Sequence, residues 1–195
     1  THVDEAIDNG YIKVYYQPIV DISTGKTIEL EALARWIDPE QGFLSPADFI
    51  PTLEDARLIH KIDTFMARQI CRDQKVITEK AGRDIPVSLN LSRIDFMMTD
   101  IVNIVKTSVE EYHVNKHNLR IEITERALVE DEDELKNKVK DLRDYGFEVW
   151  LDDFGSGYSS LNTLQDYNFD VIKVDMQFMR MLDARPQTAV IVTYS

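Results

Sequence analysis

A single cysteine, Cys71, stands in the whole chain, which excludes an internal disulfide framework and any Cys-rich zinc site. Histidine is almost as scarce: His2, His60, His113 and His117 are all there are. The last two are four apart, but no HExxH pattern accompanies them, and catalytic zinc wants a third protein ligand. Positive charge is also short. Lys and Arg number 22 against 35 Asp and Glu, leaving a formal charge of −13. A groove for a nucleic-acid polymer is not expected, because phosphate neutralisation needs clustered bases. No apolar run reaches the ~20 residues of a membrane helix, and no signal peptide opens the chain. The expected setting is therefore cytoplasmic, with no membrane segment in this chain, whatever anchor a parent protein carries. The first residue is Thr1, not methionine, so a piece cut from something longer is expected.

What is present is enough for a core. The 195 residues are 44% hydrophobic and 29% charged, a balance that argues against disorder and suits one domain, or one and a fragment. Segments alternate between strand and helix. IKVYYQPIV at 12–20 is β-branched and aromatic, and reads as a strand. ELEALARW at 29–36 reads as a second, although its residues also favour helix. Ser45-Pro46 opens a helix as cap and first residue, and Pro51 interrupts it or starts another. Helices are expected at 61–80 and 94–112, and from the acidic run 130–134 to about Tyr145, where Gly146 ends the last. Strands are expected at 87–92, 119–125, 147–153 and 169–175.

This order implies an α/β fold with a largely parallel sheet. Five of the six expected strands carry an unusual polar group: Glu31, Asn90, Glu122, the pair Asp152-Asp153, and Lys173. A (β/α) barrel gathers such groups on one face, whereas a doubly wound sheet uses mainly one crevice, so the barrel is favoured. Eight strands close a barrel, so six imply one that stops early. Side chains two apart share a strand face, which groups Glu29, Glu31, Leu33 and Arg35, and likewise Ser88 with Asn90. Carboxylates inside apolar strands are costly unless paired or metal-bound. The oxygen-rich inventory suits Mg²⁺ or Mn²⁺ better than zinc. Adjacent Asp152 and Asp153 can act together only if the strand bends, which Gly155 and Gly157 allow. Oxygen-bound metal pairs serve phosphoryl chemistry and reverse the local sign of an acidic chain.

Together these residues resemble the EAL domain family, the cyclic di-GMP phosphodiesterases. The motif that names it stands at Glu31-Ala32-Leu33, with YYQPIV at 15–20, PADFIP at 46–51, SLNLS at 88–92, IEITE at 121–125, DDFGSGYSSL at 152–161 and IKVD at 172–175. The resemblance implies a modified TIM-type (β/α)₈ barrel whose first strand runs antiparallel to the others. It implies hydrolysis of one phosphodiester bond of cyclic di-GMP, giving linear pGpG, in bacterial second-messenger signalling. By the same resemblance Glu31, Asn90, Glu122 and Asp152 bind metal, and Asp153 reaches a second ion. Lys173 looks like the lysine that contacts the attacking water or the phosphate; with Glu31 and Asp152 it makes the catalytic set. Gln17, Leu33 and Arg35 resemble residues that hold the dinucleotide. Glu125 resembles the glutamate that anchors the loop at 154–160, which in the family joins metal binding to dimer contacts. A homodimer, and fusion to or regulation by a sensor or GGDEF-type domain, are implied as well.

The family pattern continues through two more strands, the first bearing a metal-binding glutamate. Residues 1–195 are therefore expected to cover the domain without its last two strands and helices. Little or no turnover is expected of this chain. The alternative reading is a module that binds cyclic di-GMP without hydrolysing it. An aldolase-like barrel is disfavoured by the paired aspartates. Outside the motifs, Cys71 reads as a buried helix residue, and His2 and His60 as surface residues. Met97-Met98 and the segment 176–181 read as core or interface.

Overall fold

The computed structural model describes residues 2–128, 133–155, 167–176, 178 and 180. Its elements in chain order are α1 (Val3–Asp8), β1 (Ile12–Val20), β2 (Thr27–Asp38), β3 (Gly42–Leu44), α2 (Pro46–Asp55), α3 (Ile59–Ala81) and β4 (Val87–Leu91). There follow α4 (Arg93–Met98), α5 (Ile101–Glu111), β5 (Leu119–Thr124), α6 (Asp133–Tyr145), β6 (Glu148–Phe154) and β7 (Val171–Val174).

Period-two patterning organises the sheet. In VSLNL, LRIEIT and EVWLDDF the large apolar side chains fall at every second position. Val87, Leu89, Leu91, Leu119, Ile121, Ile123, Val149 and Leu151 are thereby buried in one core with helix residues such as Ile62, Ile70, Val105, Val139 and Leu142. Ser88, Asn90, Arg120, Glu122, Glu148, Trp150 and Asp152, which alternate with them, face the other way. One face of the sheet is thus apolar and helix-covered, and the other is polar.

Strand order in the sheet is β1-β2-β4-β5-β6-β7, with β3 pairing off β2. β1 runs antiparallel to β2, and the pairs from β2–β4 to β6–β7 are parallel. The expected α/β class and the antiparallel first strand are both found. Neighbours follow chain order with no reversal. That is the arrangement of a barrel wall and not of a doubly wound sheet, which turns back at a switch point.

Local chemistry explains most element ends. Ser45 caps α2 by accepting from the Ala47 N–H at 3.3 Å, and Gly82, at φ +67°, closes α3 in the left-handed region. Pro51 does not divide α2, contrary to expectation. The helix runs through it, held by buried Phe49 and Leu53. The single helix expected at 94–112 is two, because Thr99 is extended and Asp100 caps α5 by accepting from the Asn103 N–H at 3.3 Å. Two elements were not foreseen. The six-residue α1 is short, and the three-residue β3 only extends β2 into a hairpin, Trp36 opposite Leu44.

Cys71 is buried in α3 as expected. His2 is exposed, but His60 is half-buried, with its Nδ1 enclosed by α3's surroundings. Met97 and Met98 lie at the surface and not in the core. Residues 130–132 of the acidic run, Gly157 and Met181 lie outside the described residues. Among the described residues no helix is long and apolar enough to cross a membrane.

Candidate active site

The polar sheet face brings the expected acids together. Neighbouring parallel strands align Asn90 with Glu122, Glu122 with Trp150, and Thr124 with Asp152. Asn90 donates through Nδ2 to Glu31 Oε1 at 3.0 Å. Lys173 reaches across from β7 and donates through Nζ to Glu122 Oε1 in a close ion pair. Asp152 accepts from the Asp153 N–H through Oδ1 at 2.9 Å. Asp153 itself adopts φ +57°, and the β6–β7 register slips between Leu151 and Phe154. The bend that the adjacent aspartates require therefore sits on Asp153, and not on glycine alone as expected.

Electrostatics mark the same spot. Burial pushes the Glu122 carboxyl up, and the Lys173 ammonium works against it. Burial, then the charges of Asp152, Asp175, Glu31 and Glu125, push Asp153 up too. Burial pulls Lys173 down, but Glu122, Asp152 and Glu31 outweigh it and hold the ammonium above the ordinary lysine value. With these partners Lys173 is a cation.

Among the described residues no three His, Cys, Asp or Glu side chains form a ready cage for a metal ion. A single positive charge, that of Lys173, holds the Glu122 carboxylate instead. The residues nonetheless fit a hard cation. Glu122 is fully buried, and its Oε2 has no hydrogen-bond partner. The neighbouring donors, Glu31, Asn90, Asp152 and Asp153, are all oxygen-bearing, which suits Mg²⁺ or Mn²⁺.

The remaining expected residues ring this centre. Gln17 is exposed on β1 directly opposite Glu31. Leu33 and Arg35 follow Glu31 on the same face of β2 and are half-buried. Arg35 donates to the Ala34 carbonyl at 2.9 Å, and its guanidinium lies 5.9 Å from the Tyr15 ring centre. Glu125 is buried at the end of β5 and accepts from the Gly155 N–H at 3.0 Å. Gly155 is at φ +97°, and a Cβ there would meet the Phe178 ring at 2.4 Å, so only glycine fits.

Residues 2–194 match the EAL domain model. The chain belongs to the EAL domain family. It is 37% identical over 187 residues to the protein y4lL of Sinorhizobium fredii, covering 96% of this chain and 22% of that protein. It is 33% identical over 183 residues to the probable cyclic di-GMP phosphodiesterase PdeG of Escherichia coli, covering 94% of this chain and 36% of PdeG. The chain thus spans about a fifth to a third of the length of these curated relatives. Among solved structures, the complex of the phosphodiesterase PaMucR with c-di-GMP superposes with a TM-score of 0.84 at 29% identity, over 98% of this chain and 77% of that one.

Several charged or aromatic residues of this EAL domain escaped the sequence reading. Arg120 and Trp150 share the polar face with Glu122, and the same two-residue alternation that grouped Glu29 with Glu31 could have found them. Asp63 and Asp95 lie on different helices, and no spacing in the sequence connects them.

Proposed function

We propose that this EAL domain hydrolyses one phosphodiester bond of cyclic di-GMP, giving linear pGpG, with two Mg²⁺ or Mn²⁺ ions. The observation that carries the reading is the convergence of Glu31, Asn90, Glu122, Asp152 and Lys173 from β2, β4, β5, β6 and β7 on one polar face. Family membership and the naming of PdeG support the substrate class.

Glu31, Asn90, Glu122 and Asp152 would hold one ion, and Asp153 would reach the second. Bound there, the ions would supply an activated water and charge stabilisation on the phosphate. The chain's own residues do the rest. The left-handed conformation of Asp153 redirects the strand between the two aspartates. Asn90 fixes the Glu31 carboxylate by its amide hydrogen bond. Lys173, paired with Glu122, would contribute as a cation facing the water or the developing phosphate charge. Gln17, Leu33 and Arg35 would hold the dinucleotide, with Arg35 offering its fork to a phosphate. Glu125 would anchor the loop that starts at Gly155.

A second reading is a module that binds cyclic di-GMP without turnover. The observation favouring it is that, among the described residues, no three acidic side chains gather into a cage for an ion. In either case the short coverage of y4lL and PdeG supports a module that works within a longer protein.

The test is incubation of purified protein with cyclic di-GMP and Mn²⁺ or Mg²⁺, with chromatography for pGpG. It is run on the 195-residue chain and on a form extended by whatever follows in the parent gene. Metal-dependent pGpG formation by the extended form, lost in Glu31→Ala, is expected. Binding without product from both forms would favour the second reading, and neither binding nor product would overturn both.

A further inference from the structure

The polar face continues below the carboxylates as a second charged layer. Arg120 stands two residues before Glu122, and Glu29 two before Glu31. Arg120 Nη1 donates to Glu29 Oε2 at 2.6 Å, and its Nε lies 3.0 Å from Glu148 Oε2. The guanidinium carbon sits 4.4 Å from the centre of the Trp150 ring. Trp150 Nε1 donates to the same Glu148 Oε2 at 3.2 Å. Lys173 Nζ approaches that same ring, 5.4 Å from its centre. The indole is therefore shared by two cations, one from the lower layer and one from the site.

Glu29 is the hazard in this arrangement. It is 1% exposed, and its Oε1 has no hydrogen-bond partner. Burial pushes its carboxyl up, and Arg120 first, then Lys173, work against that. Leaving a buried carboxylate without its counter-ion is costly, and a cation within reach relieves that cost. Were the guanidinium absent, that cation would be Lys173, drawn down from Glu122 past Trp150.

We propose that Arg120 is a positioning residue that neutralises Glu29 and so keeps the Lys173 ammonium at Glu122, among the carboxylates of the site. The proposal deepens the phosphodiesterase reading and takes its importance from it, but the placement of Lys173 is measurable without substrate. Arg120 does not touch the reacting groups. It acts by denying Lys173 a competing partner.

The test follows Lys173 by NMR in the 195-residue chain, its side-chain resonances assigned by their loss in Lys173→Met. In the unsubstituted protein the Lys173 methylene protons carry a ring-current displacement from Trp150. In Arg120→Met these resonances shift as Lys173 moves to Glu29, and in Glu29→Gln/Arg120→Met they return to their original positions. A purely structural role for Arg120 would leave Lys173 unmoved in the folded single variant, and that result would overturn the proposal. If Arg120→Met does not fold, Arg120→Gln takes its place, since Gln still donates to Glu29 but carries no charge. The same shift is required of it. In protein that hydrolyses cyclic di-GMP, the single variant lowers kcat by at least about tenfold with KM little changed, and the double variant restores it. Absence of turnover in the unsubstituted protein would count against the phosphodiesterase reading alone, because the Lys173 shifts need no turnover.

Discussion

Lys173 and Glu122 form an ion pair that joins β7 to β5 across the intervening β6, on the polar face of the sheet. The Glu122 side chain is fully buried, while that of Lys173 keeps 25% exposure. The pair links two strands that are not hydrogen-bonded neighbours, and it crosses the candidate site.

Lys173→Met removes the counter-ion and leaves the buried Glu122 carboxylate alone. Breaking such a pair costs about 3–5 kcal/mol when both partners are buried, so about 2–4 kcal/mol is expected with one partner a quarter exposed. The sign with pH follows from burial. Glu122 has a raised folded pKa, so its folded form tolerates protonation, and stability is retained in acid and lost as pH rises through that value. Urea midpoints in mild acid and mild alkali measure this. A cost that is the same at both would contradict it.

Binding of Mn²⁺, read by calorimetry, tests the ligand set without any substrate. Glu31→Ala, Glu122→Gln and Asp152→Asn should each weaken it at least about tenfold, the loss seen even for partners outside a metal's own ligands. Calcium should compete for the site and inhibit turnover, since it accepts looser geometry. Unchanged Mn²⁺ binding in all three variants would remove the metal reading.

Half-buried Asp63 on α3 and buried Asp95 on α4 make an acidic pair between two helices. Burial, then the neighbouring Asp95 charge, pushes Asp63 well above the usual carboxylate range, and burial raises Asp95 too. Raised acids stabilise the fold below their unfolded pKa of about 4 and lose that contribution as pH rises through the folded values. Asp63→Asn should therefore raise the melting temperature in mild alkali and gain less, or nothing, in acid. Thermal scans across pH decide it, and an equal loss at every pH would refute it.

Ile123 and Gln17 separate stability from binding. Ile123 is wholly buried on the helix-covered face, so Ile123→Ala should cost about 2–5 kcal/mol in denaturant unfolding. Gln17 is exposed, so Gln17→Ala should stay within about 0.5 kcal/mol while weakening cyclic di-GMP binding. A Gln17 variant that binds as well as the unsubstituted chain would take Gln17 out of the dinucleotide site.

Much of this was legible in the linear chain. Alternation in VSLNL and LRIEIT announces both the strands and their two unlike faces, because side chains on a strand repeat every second residue. Helix ends were less legible. Thr99-Asp100 breaks a run that is apolar on both sides, and Pro51 is carried through α2 by the burial of Phe49 and Leu53. Propensity is a local preference, and tertiary packing overrode it at Pro51.

The sequence by itself determined the α/β class, the polar strand positions and the family, since all three are carried by residue type and spacing along one strand. Tertiary structure alone decided which charges meet. That Lys173 sits on Glu122, that Arg120 reaches Glu29 from 91 positions away, and that Asp63 faces Asp95 depends on parallel register and helix packing. Such pairings come from the placement of separate elements against one another, and no local pattern encodes the distance between them.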